Sequence, residues 1–207
     1  MITPRGRRAA ALCLAGLAAV TAIAALGFVA YPFYTDFRAG RQQAALRESF
    51  ASESHKAAYK AGEVKDSEPL TRIRIPAIGT DTIVVEGTSL KALNTGAGHY
   101  PTSPLPGEVG NVAIAGHRTT YGKPFARQDE LKPGDKIFLD TPFAKHTYEV
   151  VPAFGGHANP WITSGDDWSV ADATPDAMLT LTTCHPKGSD AQRLVARAKL
   201  VKSDPLV

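Results

Sequence analysis

The feature that most constrains this chain is Ala9 to Ala30, 22 consecutive residues without a charge in which Thr21 is the only strongly polar side chain. As a helix the run spans about 33 Å at 1.5 Å per residue, enough to cross a hydrocarbon core of about 30 Å. Arg5, Arg7 and Arg8 precede it and Tyr31, Phe33 and Tyr34 follow it, the basic flank and interfacial aromatic belt of a membrane span. The competing reading is a cleaved signal peptide, because Ala22-Ile23-Ala24 has the small-x-small form of a cleavage site. The apolar run continues past that site, which favours a retained anchor. Charge alone does not orient the anchor, since Arg38, Arg41 and Arg47 on its far side match the three N-terminal arginines in number.

The expected division is a tail over residues 1–8, an anchor over 9–34, a stalk over 35–67 and one folded domain over 68–207. From Arg38 to about Glu68 the chain is mostly Ala, Gln, Glu, Lys, Arg and Ser, which predicts a solvated helix or flexible stalk rather than a packed element. The rest is apolar enough for a packed core, with 43% hydrophobic and 21% charged residues overall. A net charge of +3 falls far short of a nucleic-acid-binding surface. Only two cysteines occur; Cys13 lies in the apolar run and Cys184 in the folded domain, so no disulfide framework is available and Cys184 is a lone thiol.

Short β-branched runs separated by Gly and Pro make the domain mainly β, a barrel or sandwich. The strand candidates are Leu70 to Ile75, Thr82 to Val85, Asn111 to Ala115, Lys136 to Asp140, Thr147 to Val151, Met178 to Thr183 and Arg193 to Val201. Ser89 to Asn94 can cap and start one short helix.

Two places on this scaffold can carry chemistry. Thr180-Leu181-Thr182-Thr183-Cys184-His185-Pro186 puts a thiol at a strand end, because Pro186 cannot donate to a ladder. Period-two alternation places Met178, Thr180, Thr182 and Cys184 on one face and His185 on the other, so the adjacent histidine points away from the sulfur. Ala113 to Gly122 is a strand running into a glycine-flanked loop that displays His117. A nucleophilic cysteine needs an acid or base partner distant in sequence and near in space, and His117 has the best local setting of the six histidines. Arg193 opens the next strand, where a guanidinium can donate to a developing oxyanion. The plain alternatives are a small buried cysteine and a solvent-facing basic stripe of Arg193, Arg197 and Lys199. No Cys or His pair has zinc-ligand spacing.

Together these residues resemble the sortase family. Thr180-Leu181-Thr182-Thr183-Cys184 matches the T-L-x-T-C signature, with Arg193 nine residues on and His117 upstream. Gly116 to Gly122 and Leu181 to Pro186 look like the class E enzymes of actinobacteria. The resemblance covers about residues 68–202. It implies an eight-stranded sortase barrel and a cysteine transpeptidase that cuts surface proteins between Thr and Gly of a carboxy-terminal sorting motif. The protein then passes through a Cys184 thioester to a cell-wall peptide amine, with His117 and Arg193 completing the catalytic set and no cofactor required.

The resemblance also places the large domain outside the membrane and the N-terminus in the cytoplasm. Thr182 and Thr183 become substrate-binding candidates beside the thiol. Tyr100, 17 residues before His117, matches a class E tyrosine associated with preference for L-A-x-T-G over L-P-x-T-G. The stalk lacks the Asp-Pro-aromatic lid of pilin-type members, which favours anchoring of single proteins. Phe154 to Asp172, rich in Gly, Asp and Trp, departs from the family's usual stretch before the cysteine strand. Two alternatives share the same residues: a secreted cysteine peptidase that releases its acyl group to water, and a tethered β-domain that binds a partner through its rim.

Overall fold

The computed structural model describes residues 4–206; the first three residues of the expected tail and Val207 lie outside the described residues. The chain begins with α1 (Pro4–Phe50), one continuous helix through Pro32. Side chains from Leu12 to Ala30 are all exposed, Phe28 by 84%. A helix that is apolar all round and covered by no protein suits a hydrocarbon surround. It is the one helix among the described residues long and apolar enough to cross a membrane.

The expected solvated stalk is instead docked on the barrel. Thr35 and Ala39 are 1% exposed, and Gln43 one further turn along donates to the carbonyls of Ile83 (3.0 Å) and Thr95 (2.9 Å) and accepts from the Ile83 amide (2.7 Å). Residues at i, i+4 and i+8 share a helix face, so this stripe packs while its flanks stay wet. The contact runs through small and polar side chains, which is why an apolar pattern does not reveal it. A short α2 (Glu53–Ala61) follows, capped by Ser52, whose hydroxyl accepts from the His55 amide, and closed by Gly62 in the left-handed region.

The domain is a closed barrel. In chain order its elements are β1 (Pro69–Ile75), β2 (Thr80–Glu86), α3 (Leu90–Leu93), β3 (Ala97–His99), β4 (Gly110–Gly116), β5 (Lys136–Asp140), β6 (Ala144–Val150), β7 (Ala153–Phe154), β8 (His157–Ala158), β9 (Trp161–Ser164), β10 (Ala177–His185) and β11 (Gln192–Pro205). The hydrogen-bonded order β10-β4-β3-β2-β1-β5-β6-β11 closes through β11–β10, an eight-stranded ring, with β9 added to β11 and β7–β8 a separate hairpin. Closure removes the exposed edges an open sheet would present. Ile73, Ile75, Val112, Ile114, Leu139, Tyr148, Leu179 and Leu181 fill the interior, each no more than 1% exposed.

Ser89 caps α3 as expected, accepting from the Ala92 amide at 3.1 Å. The barrel strand absent from the sequence reading is β3, an Ala-Gly-His segment that pairs parallel to β2 and antiparallel to β4; β7, β8 and β9 outside the ring were not expected either. Its Gly98 is required by contact: a Cβ there would lie 2.2 Å from the Gly87 carbonyl oxygen.

Candidate active site

Register brings the chemistry-bearing residues together. In the antiparallel β10–β11 pair, Cys184 stands opposite Arg193, so the two side chains share a face. In the parallel β10–β4 pair, Thr182 stands opposite Ala115. Two residues further along each strand the same alignment carries Cys184 toward His117. A cleft of about 190 Å³ is lined by Tyr100, His117, Thr182, Thr183, Cys184 and Arg193, the full set singled out from the sequence.

Hydrogen bonds tie the walls of the cleft together. The Thr183 hydroxyl, 2% exposed, donates to the Gly116 carbonyl at 2.7 Å and ties the cysteine strand to the root of the histidine loop. Gly116 leaves the room this requires, since a Cβ there would meet the Phe125 ring at 2.7 Å. The Phe125 amide donates back to the His117 carbonyl at 3.3 Å and closes the loop. Tyr100 follows β3, and its phenol lies 3.2 Å from the Thr182 hydroxyl across the cleft. Arg193 donates through Nη1 to the carbonyls of Asp190 (2.7 Å) and Gln192 (3.1 Å), which fixes the guanidinium at the rim.

His117 is half-buried, and burial holds its pKa below the ordinary 6.5. Its Nε2 is shielded from solvent and has no hydrogen-bond partner among the described residues. A neutral imidazole is thereby favoured, and its protonated form is a stronger acid than free histidine. Cys184 is only partly buried, so the thiol is not a sealed core residue.

His185 lies outside the cleft, as the face argument requires. Arg118, 4% exposed, donates to His185 Nδ1 at 2.8 Å, approaches the Cys184 carbonyl at 3.4 Å, and pairs with Asp129 at 3.1 Å. A guanidinium can only donate, so the ring proton of a neutral His185 sits on Nε2. This Arg118–His185 bracket behind the cysteine strand is a feature that sequence reasoning missed. Its one signal was the adjacency of Arg118 to His117.

The solvent-facing basic stripe does not exist. Lys199 is exposed, but Arg197 is 3% exposed, lies 3.9 Å from the Phe154 ring centroid and donates to the Val170 carbonyl at 2.8 Å. Burial pushes its pKa down to about 10. What covers it is the 154–172 stretch, folded into β7, β8, β9 and a 3₁₀ turn over Trp168–Ala171. β9 pairs with β11 at Arg193, opposite Thr163, so this stretch forms one wall of the cleft with Asp167, Trp168 and Val170.

A sortase-domain family model matches residues 73–201. The chain belongs to the sortase family. Among its relatives, Sortase SrtE1 of Streptomyces coelicolor is 27% identical over 201 residues, covering 89% of this chain and 55% of that protein. This sortase thus spans about half the length of SrtE1. Sortase E of Streptomyces avermitilis is 33% identical with a TM-score of 0.60, covering 68% of this chain and 93% of that one. The sortase D5 transpeptidase of Clostridium perfringens is 28% identical with a TM-score of 0.65, covering 79% and 98%. The family fold in this sortase is therefore accompanied by similarity to class E members.

Proposed function

We propose that the chain is a membrane-anchored sortase of class E type, with residues 68–207 as its catalytic domain. It cleaves a carboxy-terminal sorting motif between Thr and Gly and transfers the protein to a cell-wall peptide amine. The observation that carries this reading is the convergence of Cys184, His117 and Arg193 on one cleft through strand register. His117, neutral at rest, takes the Cys184 proton, the thiolate attacks the Thr carbonyl carbon, and Arg193 donates to the oxyanion that forms. His117 protonates the leaving glycine amine as the C–N bond breaks, leaving a thioester. The acceptor amine attacks that thioester, His117 takes its proton, and the thiolate departs as the new amide forms. The energy of the cleaved amide is kept in the thioester, so no cofactor enters the cycle.

The Tyr100 phenol lies 3.2 Å from the Thr182 hydroxyl in the cleft, and a phenol there can engage the N–H of the alanine two residues before Thr in the motif, which proline lacks. This supports L-A-x-T-G as the preferred motif. The test is peptide turnover by the full chain in detergent with and without an amine acceptor. An amine-dependent ligated product supports transfer; release to water alone at every amine concentration identifies a peptidase instead. With the N-terminus cytoplasmic, protease added to intact protoplasts digests a carboxy-terminal tag; a protected tag reverses the orientation.

A further inference from the structure

The histidine loop is bound to the anchor helix. The Tyr121 ring packs against His117 with centroids 5.0 Å apart and planes tilted by 34°, and its hydroxyl lies 3.1 Å from that of Tyr31, the first residue after the apolar run. One turn further along α1, Asp36 accepts from the Gly122 amide at 2.9 Å through one oxygen and from Lys123 Nζ at 2.7 Å through the other. Ala39, buried beside them, sits 3.6 Å from where a Gly122 Cβ would stand.

The loop's backbone explains why it needs holding. Tyr121, Gly122 and Lys123 all have positive φ, at 52°, 76° and 37°. Glycine adopts this region freely, but tyrosine and lysine do so at a cost and persist there only where their surroundings impose it. Inside the loop, the Lys123 amide bonds the Thr120 carbonyl at 2.9 Å. Among the described residues, the side-chain hydrogen bonds to these three residues come from Tyr31 and Asp36 of α1, more than 80 positions away in sequence.

We propose that Asp36 and Tyr31 are positioning residues for His117, so that the juxtamembrane turns of the anchor helix belong to the catalytic apparatus. Asp36 fixes the strained turn, the turn fixes the Tyr121 ring, and that ring sets the plane of the imidazole. The inference rests on the role given to His117 above. Acid–base transfer depends steeply on the placement of the group, whereas the peptide groove at Tyr100 and Thr182 does not touch α1. Loosening the clamp should therefore lower kcat and leave KM for the sorting peptide nearly unchanged.

The experiment uses the full chain in detergent and two readouts, peptide kinetics and amide hydrogen exchange over Thr119–Lys123. Asp36→Ala should speed exchange in that segment and lower kcat by about tenfold or more, on the scale of a misplaced catalytic group. Asp36→Asn, which keeps an acceptor for the Gly122 amide, should recover most of the loss. Gln43→Ala is the control, because it removes three bonds between the same helix and the barrel wall. It should lower Tm while leaving loop exchange and kcat near wild type. Unchanged exchange in Asp36→Ala overturns the clamp, and faster exchange with intact kcat overturns its positioning role. An equal kcat loss in Gln43→Ala reduces α1 to a general stabiliser and also overturns the proposal. If the wild-type chain forms no acyl-enzyme, the assigned reaction fails instead, and exchange alone judges the clamp.

Discussion

Removing the phenol of Tyr100 tests substrate choice through a single atom. Among the described residues the phenol's one hydrogen-bond partner is the Thr182 hydroxyl at 3.2 Å, and Thr182 is 2% exposed. Tyr100→Phe keeps the ring and its packing, so only this hydrogen bond and any bond to substrate are lost. A neutral hydrogen bond contributes about 1 kcal/mol net, which sets the expected loss of folding stability at roughly 0.5–1.5 kcal/mol. The same magnitude governs discrimination, because alanine in the motif carries an N–H that proline lacks. A difference of about 1 kcal/mol corresponds to roughly a fivefold ratio of kcat/KM for L-A-x-T-G over L-P-x-T-G peptides. The assay measures both kcat/KM values on the full chain in detergent, for wild type and Tyr100→Phe. The wild type should prefer the alanine peptide about fivefold and the variant should use both nearly equally. Equal use by the wild type, or an unchanged preference in the variant, removes Tyr100 from the recognition site.

Two further outcomes follow from the same cleft. Arg193→Lys should lose on the order of 10²-fold in rate, because a point charge does not replace a planar donor fork, while His185→Ala should retain far more activity than His117→Ala; comparable losses for the two histidines would contradict the face assignment. Burial lowers the His117 pKa, so the neutral imidazole that receives the thiol proton persists to lower pH and is lost only as pH falls through that depressed value. The acid limb of kcat/KM should accordingly lie below 6.5, and a limb at or above 6.5 would show that burial does not govern the group.

The legible parts of the fold were those with a strong local pattern. Lys136 to Asp140 is a strand with the expected ends, and Leu70 to Ile75 differs by one residue, since β-branched alternation bounded by turn residues is local information. Ala97 to His99 has neither branching nor alternation and becomes a strand only because two neighbours supply its partners. The docked face of α1 escaped for a related reason: Thr35, Ala39 and Gln43 pack by small size and amide hydrogen bonds rather than by apolar area. At the cleft, residue type and strand-end placement pointed to Cys184, His117 and Arg193. The β10–β4 register that unites the first two is a long-range pairing with no local sequence signal. Arg197 was misread because period two identifies a face without saying what covers it, and the cover is the 154–172 stretch.

The central claim is that Cys184 carries a substrate acyl group. Incubating the full chain in detergent with an L-A-x-T-G peptide, quenching in acid and measuring intact mass tests it directly. The account predicts a mass increase equal to the peptide through its threonine less one water, mapped to Cys184 and absent in Cys184→Ala. Undiminished cleavage by Cys184→Ala, or an adduct on any other residue, would contradict it.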